Sequence, residues 1–344
     1  MQIVVHGAGI FGLSIAWACT RRGARVRVVD PHGPGAGASG GVVGALAPHV
    51  PEAWNTKKAQ QFESLERAEA FWAEVAEASG RDPGYARSGR VQPLADAEAV
   101  DRAQTRAASA ADLWQGRYRW NVLDASDFGD LVHSPTGRVV FDTLTARLHP
   151  RRALTALVAA LKRRGAVIGT EPAKGDAVIH ATGVAGLLEL NGIAGEKVIG
   201  AGVKGQAAVL ACDLRGGPQV YADGLHIVPH ADGTVAVGST SELSWDHPAT
   251  TDVQLDDVIE RARAACPALR NAHVMERWSG IRPRARSRAP MLGPHPLRPG
   301  EFIANGGFKI GFGMAPLVAD LMAGLVIDRT DRIPPEFRPE ASLR

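Results

Sequence analysis

Cysteine is scarce in this sequence. Three occur, Cys19, Cys212 and Cys266, widely separated and with no CxxC pair. That excludes a disulfide-framed scaffold, offers no metal-ligand spacing and leaves no metal expected. All three read as small buried hydrophobes with free thiols, as suits a reducing cytoplasm. An excess of charge is lacking too: the formal net charge is +3 over 344 residues. So small and scattered a balance argues against a nucleic-acid partner and supports only mild attraction for anions. No apolar run is long and clean enough for a membrane span. The longest, Ile310 to Ile327, contains Gly311, Gly313, Pro316, Asp320 and Gly324, which argues against stable insertion. A first strand expected from Gln2 leaves no room for a signal peptide, so the expected location is cytoplasmic.

What is present describes a globular chain. Apolar residues make up 45% and charged residues 22%, and a chain of this length suggests two domains at about 150 residues each. Ile3-Val4-Val5 is a short apolar strand, followed by a helix from about Ile10 to Arg22 and a strand at Val26, Val28 and Val29. This is a βαβ opening onto a parallel sheet. Residues 31–48 are loop-like, and Lys57 to Ser79 carries Phe62, Leu65, Ala68, Trp72 and Val75 at helical spacing. A strand near Arg90 to Leu94, a helix near Ala95 to Leu113 and a proline-led helix from Pro150 to Arg164 come next. Strands at Ala166 to Gly169 and Ala177 to Ala181 precede a β-rich block from Lys204 to Thr240. A helix marked by Leu255, Val258, Ile259 and Ala262, a strand near His273 to Ile281 and a last helix from about Pro316 to Ile327 complete the pattern.

Between the first two strands, Gly7-Ala8-Gly9-Ile10-Phe11-Gly12 fits GxGxxG. Gly7 suits a tight turn, Gly9 lets backbone approach a pyrophosphate, and Gly12 permits close helix–strand packing. The helix N-terminus presents free N–H groups to that anion. Asp30 lies 18 residues after Gly12, at a strand end where a carboxylate can accept from a ribose hydroxyl. These residues point to a dinucleotide and leave NAD and FAD both open.

Four further segments carry a resemblance. They are Ala38-Ser39-Gly40-Gly41-Val42-Val43-Gly44-Ala45-Leu46-Ala47-Pro48, Ala181-Thr182-Gly183, Gly280-Ile281-Arg282-Pro283 and the run from Asn305 through Gly307, Phe308, Lys309 and Ile310 to Pro316. In type and order they resemble the D-amino acid oxidase/glycine oxidase family of flavoenzymes, across nearly the whole chain. The resemblance implies an α/β fold: a Rossmann-like FAD-binding domain and a discontinuous, β-rich (α+β) substrate domain. The expected division is 1–50, 135–200 and 270–344 for the first, and 51–134 and 201–269 for the second. It implies non-covalent FAD, held by Gly7, Gly9, Ile10, Phe11, Gly12, Asp30, Ser39, Gly40, Gly44, Ala45, Leu46, Val167, Ala181, Thr182, Gly183, Gly307, Phe308, Lys309 and Ile310. It implies a small amine or amino acid as substrate and oxygen or a quinone as electron acceptor. The oligomeric state is left open.

Three departures stand out. Few residues separate Ile168 from Ala177, where the family carries a longer β-meander. His226 stands in His-Ile-Val-Pro where glycine oxidases place an active-site tyrosine. No cysteine lies near the C-terminal loop for covalent flavin attachment, and His49 reads as an ordinary loop histidine. Arg282 is the expected substrate anchor, because a guanidinium can bind a carboxylate through two parallel bonds. Arg284, Arg286 and Arg288 read as surface. His226 is open between a substrate contact that titrates near neutrality and a plain strand histidine; Lys309 is open between ligand contact and surface lysine. No Ser-His-Asp or paired-carboxylate set emerges, as fits chemistry supplied by a cofactor. The alternatives are an NAD(P)-dependent dehydrogenase and a non-catalytic flavin-binding protein.

Overall fold

The structure is a computed structural model and describes residues 1–193 and 197–343. The chain opens with β1 (Gln2–His6), α1 (Ile10–Arg21) and β2 (Arg25–Val29), then β3 (Ala45–Leu46) and the long α2 (Thr56–Ser79). Next come β4 (Arg90–Pro93), α3 (Ala97–Leu113), β5 (Trp120–Asp124), β6 (Arg138–Asp142) and β7 (Ala146–Arg147). α4 (Pro150–Arg163), β8 (Val167–Gly169), β9 (Ala177–His180) and α5 (Gly183–Glu189) follow. The remainder is β10 (Gly200–Ala211), β11 (Gln219–Ala222), β12 (Leu225–Pro229), β13 (Thr234–Gly238), α6 (Val253–Ala265), β14 (Val274–Ala285), β15 (Met291–Pro294), β16 (Phe302–Asn305) and α7 (Gly311–Ala323).

Two sheets result. A six-stranded sheet runs β15-β16-β9-β1-β2-β8, parallel except for β15. Its strands are short and apolar, as a sheet covered on both faces requires. An eight-stranded sheet runs β14-β10-β13-β12-β11-β4-β6-β5. Its alternation sorts its two faces: Leu225 and Ile227 of β12 bury against Leu255, Val258 and Ile259 of α6, while His226 between them lines a cavity on the other side.

Local chemistry explains the helices. The Asn55 side chain caps α2 by accepting from Lys58 N at 3.2 Å, and Gly80 ends it in the left-handed region at φ 63°. Phe62, Leu65, Trp72 and Val75 of α2 share one core with Leu13 and Trp17 of α1 and Leu317 and Leu321 of α7. Each such side chain, fully buried, contributes roughly 1.5–3 kcal/mol. α7 begins at Gly311, not at Pro316 as the sequence suggested; Pro316 lies inside it. A proline there forgoes one backbone bond, at a cost of about 3 kcal/mol, and the burial of Met314, Ala315, Leu317 and Val318 on α1 and α2 offsets it. Gly311–Asp328 is apolar and long enough to cross a membrane by length and composition, but 67% of it is buried inside the protein. Cys19 and Cys266 are buried free thiols whose pKa values burial pushes up to about 12 and about 11, which makes them poor nucleophiles.

The expected division of the chain differs from these sheets in three places. α2, placed with 51–134 on the substrate side, packs on α4 and α7 beside the six-stranded sheet. β6, placed with 135–200 on the cofactor side, pairs with β4 and β5 in the eight-stranded sheet. β14, placed with 270–344, pairs along its length with β10. Order along the chain does not disclose which sheet a strand joins; the partner strand decides. The connection 170–176 contains no strand, in line with the shortened segment read from the sequence.

Backbone packing is tightest where glycine permits it. A Cβ on Gly44 would sit 1.9 Å from the Leu148 carbonyl oxygen, whereas one on Gly169 meets nothing within 4 Å. Gly44→Ala is therefore expected to cost about 2 kcal/mol or more in urea unfolding, and Gly169→Ala less than about 0.5 kcal/mol. Equal midpoints for the two variants would refute this packing.

Candidate active site

A cavity of about 880 Å³ separates the C-terminal ends of the six-stranded sheet from the inner face of the eight-stranded one. At its first end the glycine turn is built by close backbone approach. Gly7 adopts φ +102°, and a Cβ there would lie 2.2 Å from the Ala181 oxygen. A Cβ on Gly12 would lie 1.9 Å from the Gly7 oxygen. Only glycine fits either position. Gly9 precedes α1 with no side chain capping the helix, although Ser39 Oγ accepts from Ile10 N at 3.0 Å. The following amides of the first turn have no partner within the helix and face an anion site. Asp30 lines this end, and its carboxylate is partly engaged by the turn itself: Oδ2 accepts from Ala8 N at 2.8 Å and Oδ1 from His32 N at 2.9 Å. It braces the glycine turn besides facing the cavity.

Arg282 stands at the other end. It projects from β14 across β10, and its guanidinium lies over Gly205, where a Cβ would come within 2.0 Å of Nη2. Nη1 donates to the Thr240 carbonyl at 3.2 Å and Nη2 to Ser239 Oγ. Among the described residues no carboxylate forms an ion pair with it. Loss of solvent lowers its pKa to about 10, with Glu242 opposing, so it remains cationic at neutral pH. A desolvated cation held by two neutral acceptors is unsatisfied and suits an anionic ligand.

His226 also lines the cavity, 4.7 Å ring to ring from Tyr221. Its Nδ1 is buried without a partner. Burial, with Arg90 and Lys309 adding, lowers its pKa to about 3. The expectation that His226 titrates near neutrality is therefore corrected: it is neutral there. Lys309 lines the open cavity, and its pKa falls through desolvation by the walls and the nearby Arg282. Before it, Phe308 adopts φ +41°, a strained value for such a side chain. Its ring lies 5.9 Å from the Arg284 guanidinium and 5.8 Å from Lys309 Nζ. Arg284 is thus partly drawn into the structure, while Arg286 and Arg288 are exposed. α7 starts beside this loop with no side-chain cap, so its positive end is free to face negative charge in the cavity.

The structure brings most of the expected residues together. Gly7, Gly9, Ile10, Phe11, Asp30, Ser39, Ala45, Ala181, Thr182, Gly183, Gly307, Phe308, Lys309, His226 and Arg282 line one cavity. Six expected cofactor contacts do not line it. Gly12, Gly40 and Gly44 serve backbone packing against Gly7, Gly35 and Leu148. Leu46 is fully buried core, Ile310 is the N-cap of α7, and Val167 is 52% exposed on the edge strand β8. His49 is likewise absent from the lining and hydrogen-bonds Gln61. Sequence reasoning missed Trp278, Tyr221, Ser239 and His6. Trp278 and Arg282 share a strand at even spacing, which was the available signal. His6 stacks on His180 at 5.1 Å, and His180 Nε2 lies 2.6 Å from Glu301 Oε2; nothing in the linear sequence joins them.

These features define a dinucleotide-binding oxidoreductase. A family model for FAD dependent oxidoreductases matches residues 2–325, and the chain belongs to that family, DAO. It is 29% identical over 353 residues to a putative thiamine biosynthesis oxidoreductase, ThiO, of Rhizobium etli, covering 98% of this chain and 99% of that one. It is 32% identical over 144 residues to the glycine oxidase of Pseudomonas putida, 41% of this chain and 39% of that one. Iminodiacetate oxidase from a Chelativorans species superposes with a TM-score of 0.84 at 22% identity over 98% of both chains. Glycine oxidase from Geobacillus kaustophilus gives 0.81 at 21%, again over 98% of both. At those identities the superpositions speak for the fold. The cofactor is accordingly FAD, and the residues present fit it: Gly9 and the first turn of α1 open to the cavity at one end, and the uncapped start of α7 does so at the other.

The buried neutral histidines set a pH dependence of stability. Burial lowers His226 to about 3 and His295 to about 4, from 6.5. Unfolded, both take up a proton below 6.5; folded, they do not. Their contribution is thus fully present above about pH 6.5 and is lost as pH falls toward the folded values. Each is expected to remove at most about 2 kcal/mol between pH 7 and pH 5. In FAD-saturated urea unfolding, His226→Gln is expected to show a smaller fall over that interval. An identical fall would refute the assignment of His226 as neutral.

Proposed function

We propose that the protein oxidises a small amine bearing a carboxylate, such as glycine, a D-amino acid or an N-alkyl amino acid, at the carbon next to nitrogen. The observation that carries this reading is Arg282, a desolvated cation without a carboxylate partner, in the same cavity as the FAD-binding turn. The names of relatives that act on glycine and iminodiacetate agree with it. When bound, FAD supplies the acceptor for a hydride from that carbon, and oxygen or a quinone takes the electrons onward.

The protein's own part is placement. Arg282 binds the substrate carboxylate through paired N–H donors, and Ser239 and Thr240 hold the guanidinium in position. Arg282 and Lys309 lie close enough to depress the lysine pKa; together they favour an anionic substrate and disfavour a protonated amine. The amine therefore enters neutral, and no protein base is needed to free its lone pair. Neutral His226 offers its unpartnered Nδ1 to a polar group of the substrate or to a water. Tyr221 and Trp278 supply the apolar walls. The imine product then hydrolyses in water to a carbonyl compound and ammonia or an alkylamine.

An anaerobic screen of glycine, D-amino acids and N-alkyl amino acids against the FAD-loaded protein tests this. Flavin colour is expected to bleach with at least one of them. Arg282→Ala is expected to keep its FAD and lose roughly 100-fold or more in kcat/KM for that amine. Protein that retains FAD but is reduced by none of these amines would overturn the reading, as would an Arg282→Ala variant with wild-type constants.

A further inference from the structure

Outside the cavity, His149, His230 and Asp232 converge. His149 precedes α4, and its ring caps that helix. His230 and Asp232 sit in the turn joining β12 to β13 of the eight-stranded sheet. One ligand atom from each lies within 4.8 Å of the others. We propose that these three side chains form a binding site for a divalent transition-metal ion, with zinc as the best match.

The donor geometry supports it. The His230 residue is 1% exposed, and its Nε2 has no hydrogen-bond partner. Its tautomer follows from Thr234. That hydroxyl lies 2.7 Å from Asp232 Oδ1, which can only accept, so the single hydroxyl proton goes there. The Thr234 oxygen, 3.1 Å from His230 Nδ1, must then accept from it. Nδ1 carries the proton, and Nε2 keeps its lone pair in a buried place, with the nearby Val42 carbonyl opposing by favouring a protonated ring. One hydroxyl thus orients two of the three donors, as outer-sphere partners of metal ligands do. The second oxygen of Asp232 lies 3.9 Å from His149 Nε2, too far for a hydrogen bond, and the two imidazole rings are 4.5 Å apart.

Tetrahedral donors around zinc stand about 3.3 Å apart at bond lengths of about 2.0–2.1 Å. Closing a separation of up to 4.8 Å to that value takes about 1.5 Å in all, shared between the two donors, and the exposed Asp232 can supply its part through the Oδ2 that faces His149. Zinc on His149 Nε2 places a proton on Nδ1 and gives up only the long 3.5 Å cap bond from Arg152 N. Two imidazoles and one carboxylate favour zinc, cobalt or nickel over magnesium or calcium, and three donors leave a fourth position for water. Arg147 and Arg152 count against a cation, although Arg152 is paired with Asp82 and Arg147 donates to the Gly84 carbonyl. They keep the affinity below that of a closed structural zinc site. Pro150, next to His149, lines the FAD cavity. An ion here therefore ties the α4 side of that cavity to the eight-stranded sheet.

Isothermal titration of the chelator-treated, FAD-loaded protein with zinc chloride tests the proposal. One zinc per chain is expected, with a rise in melting temperature. Asp232→Asn and His230→Gln are expected to bind at least about tenfold more weakly and to lose the thermal shift. The control His247→Ala, at an exposed histidine, is expected to bind as wild type does. Retained FAD in Asp232→Asn shows that the variant is folded. Wild-type protein that takes up no zinc, or Asp232→Asn binding as tightly as wild type, overturns the site.

Discussion

A largely desolvated guanidinium, facing the cavity with no carboxylate to answer it, is the constraint around which the cleft is arranged. Arg282 reaches its place only because Gly205 lacks a side chain, and only Ser239 and Thr240 hold it. Its pKa falls, yet the group stays charged at neutral pH. An unpaired charge in such a place is costly. The fold bears that cost through the apolar cores behind the two sheets, where α1, α2 and α7 meet on one side and α6 packs on the other. A ligand anion relieves it.

The same geometry couples the two sheets. Arg282, Trp278, His226 and Tyr221 belong to the eight-stranded sheet, while the glycine turn, Thr182 and the α7 start belong to the six-stranded one. Neither sheet alone makes a cavity. Arg282 and the start of α7 present positive charge at one end, and the N-terminus of α1 does so at the other. Neutral His226 between them adds a hydrogen-bonding group and no charge. The arrangement is that of a family whose chemistry resides in FAD and whose protein supplies position and electrostatics.

How far the sequence disclosed this depended on whether a feature was local. The βαβ opening and the helical spacing of α2 are written in neighbouring residues, and the structure has both. Arg282 was legible through its motif, although Gly205, which admits its side chain, was not. Non-local features were hidden. β5 and β6 went unread, and β6 and β14 were assigned by chain order while sheet pairing placed them elsewhere. Leu46 follows the cavity-lining Ala45 and points away, since adjacent positions on extended chain face opposite ways, while no residue of β8, Val167 included, lines the cavity. The ionisation of His226 was out of reach because it depends on burial and on Arg90 and Lys309, which are distant in sequence.

A crystal structure of the FAD-loaded protein with acetate, an unreactive carboxylate, addresses the central claim most directly. The account expects the carboxylate within hydrogen-bonding distance of both terminal nitrogens of Arg282, with FAD extended through the cavity from the glycine turn toward Lys309. A carboxylate bound elsewhere while Arg282 keeps only Ser239 and Thr240, or FAD lying outside that cavity, would contradict it.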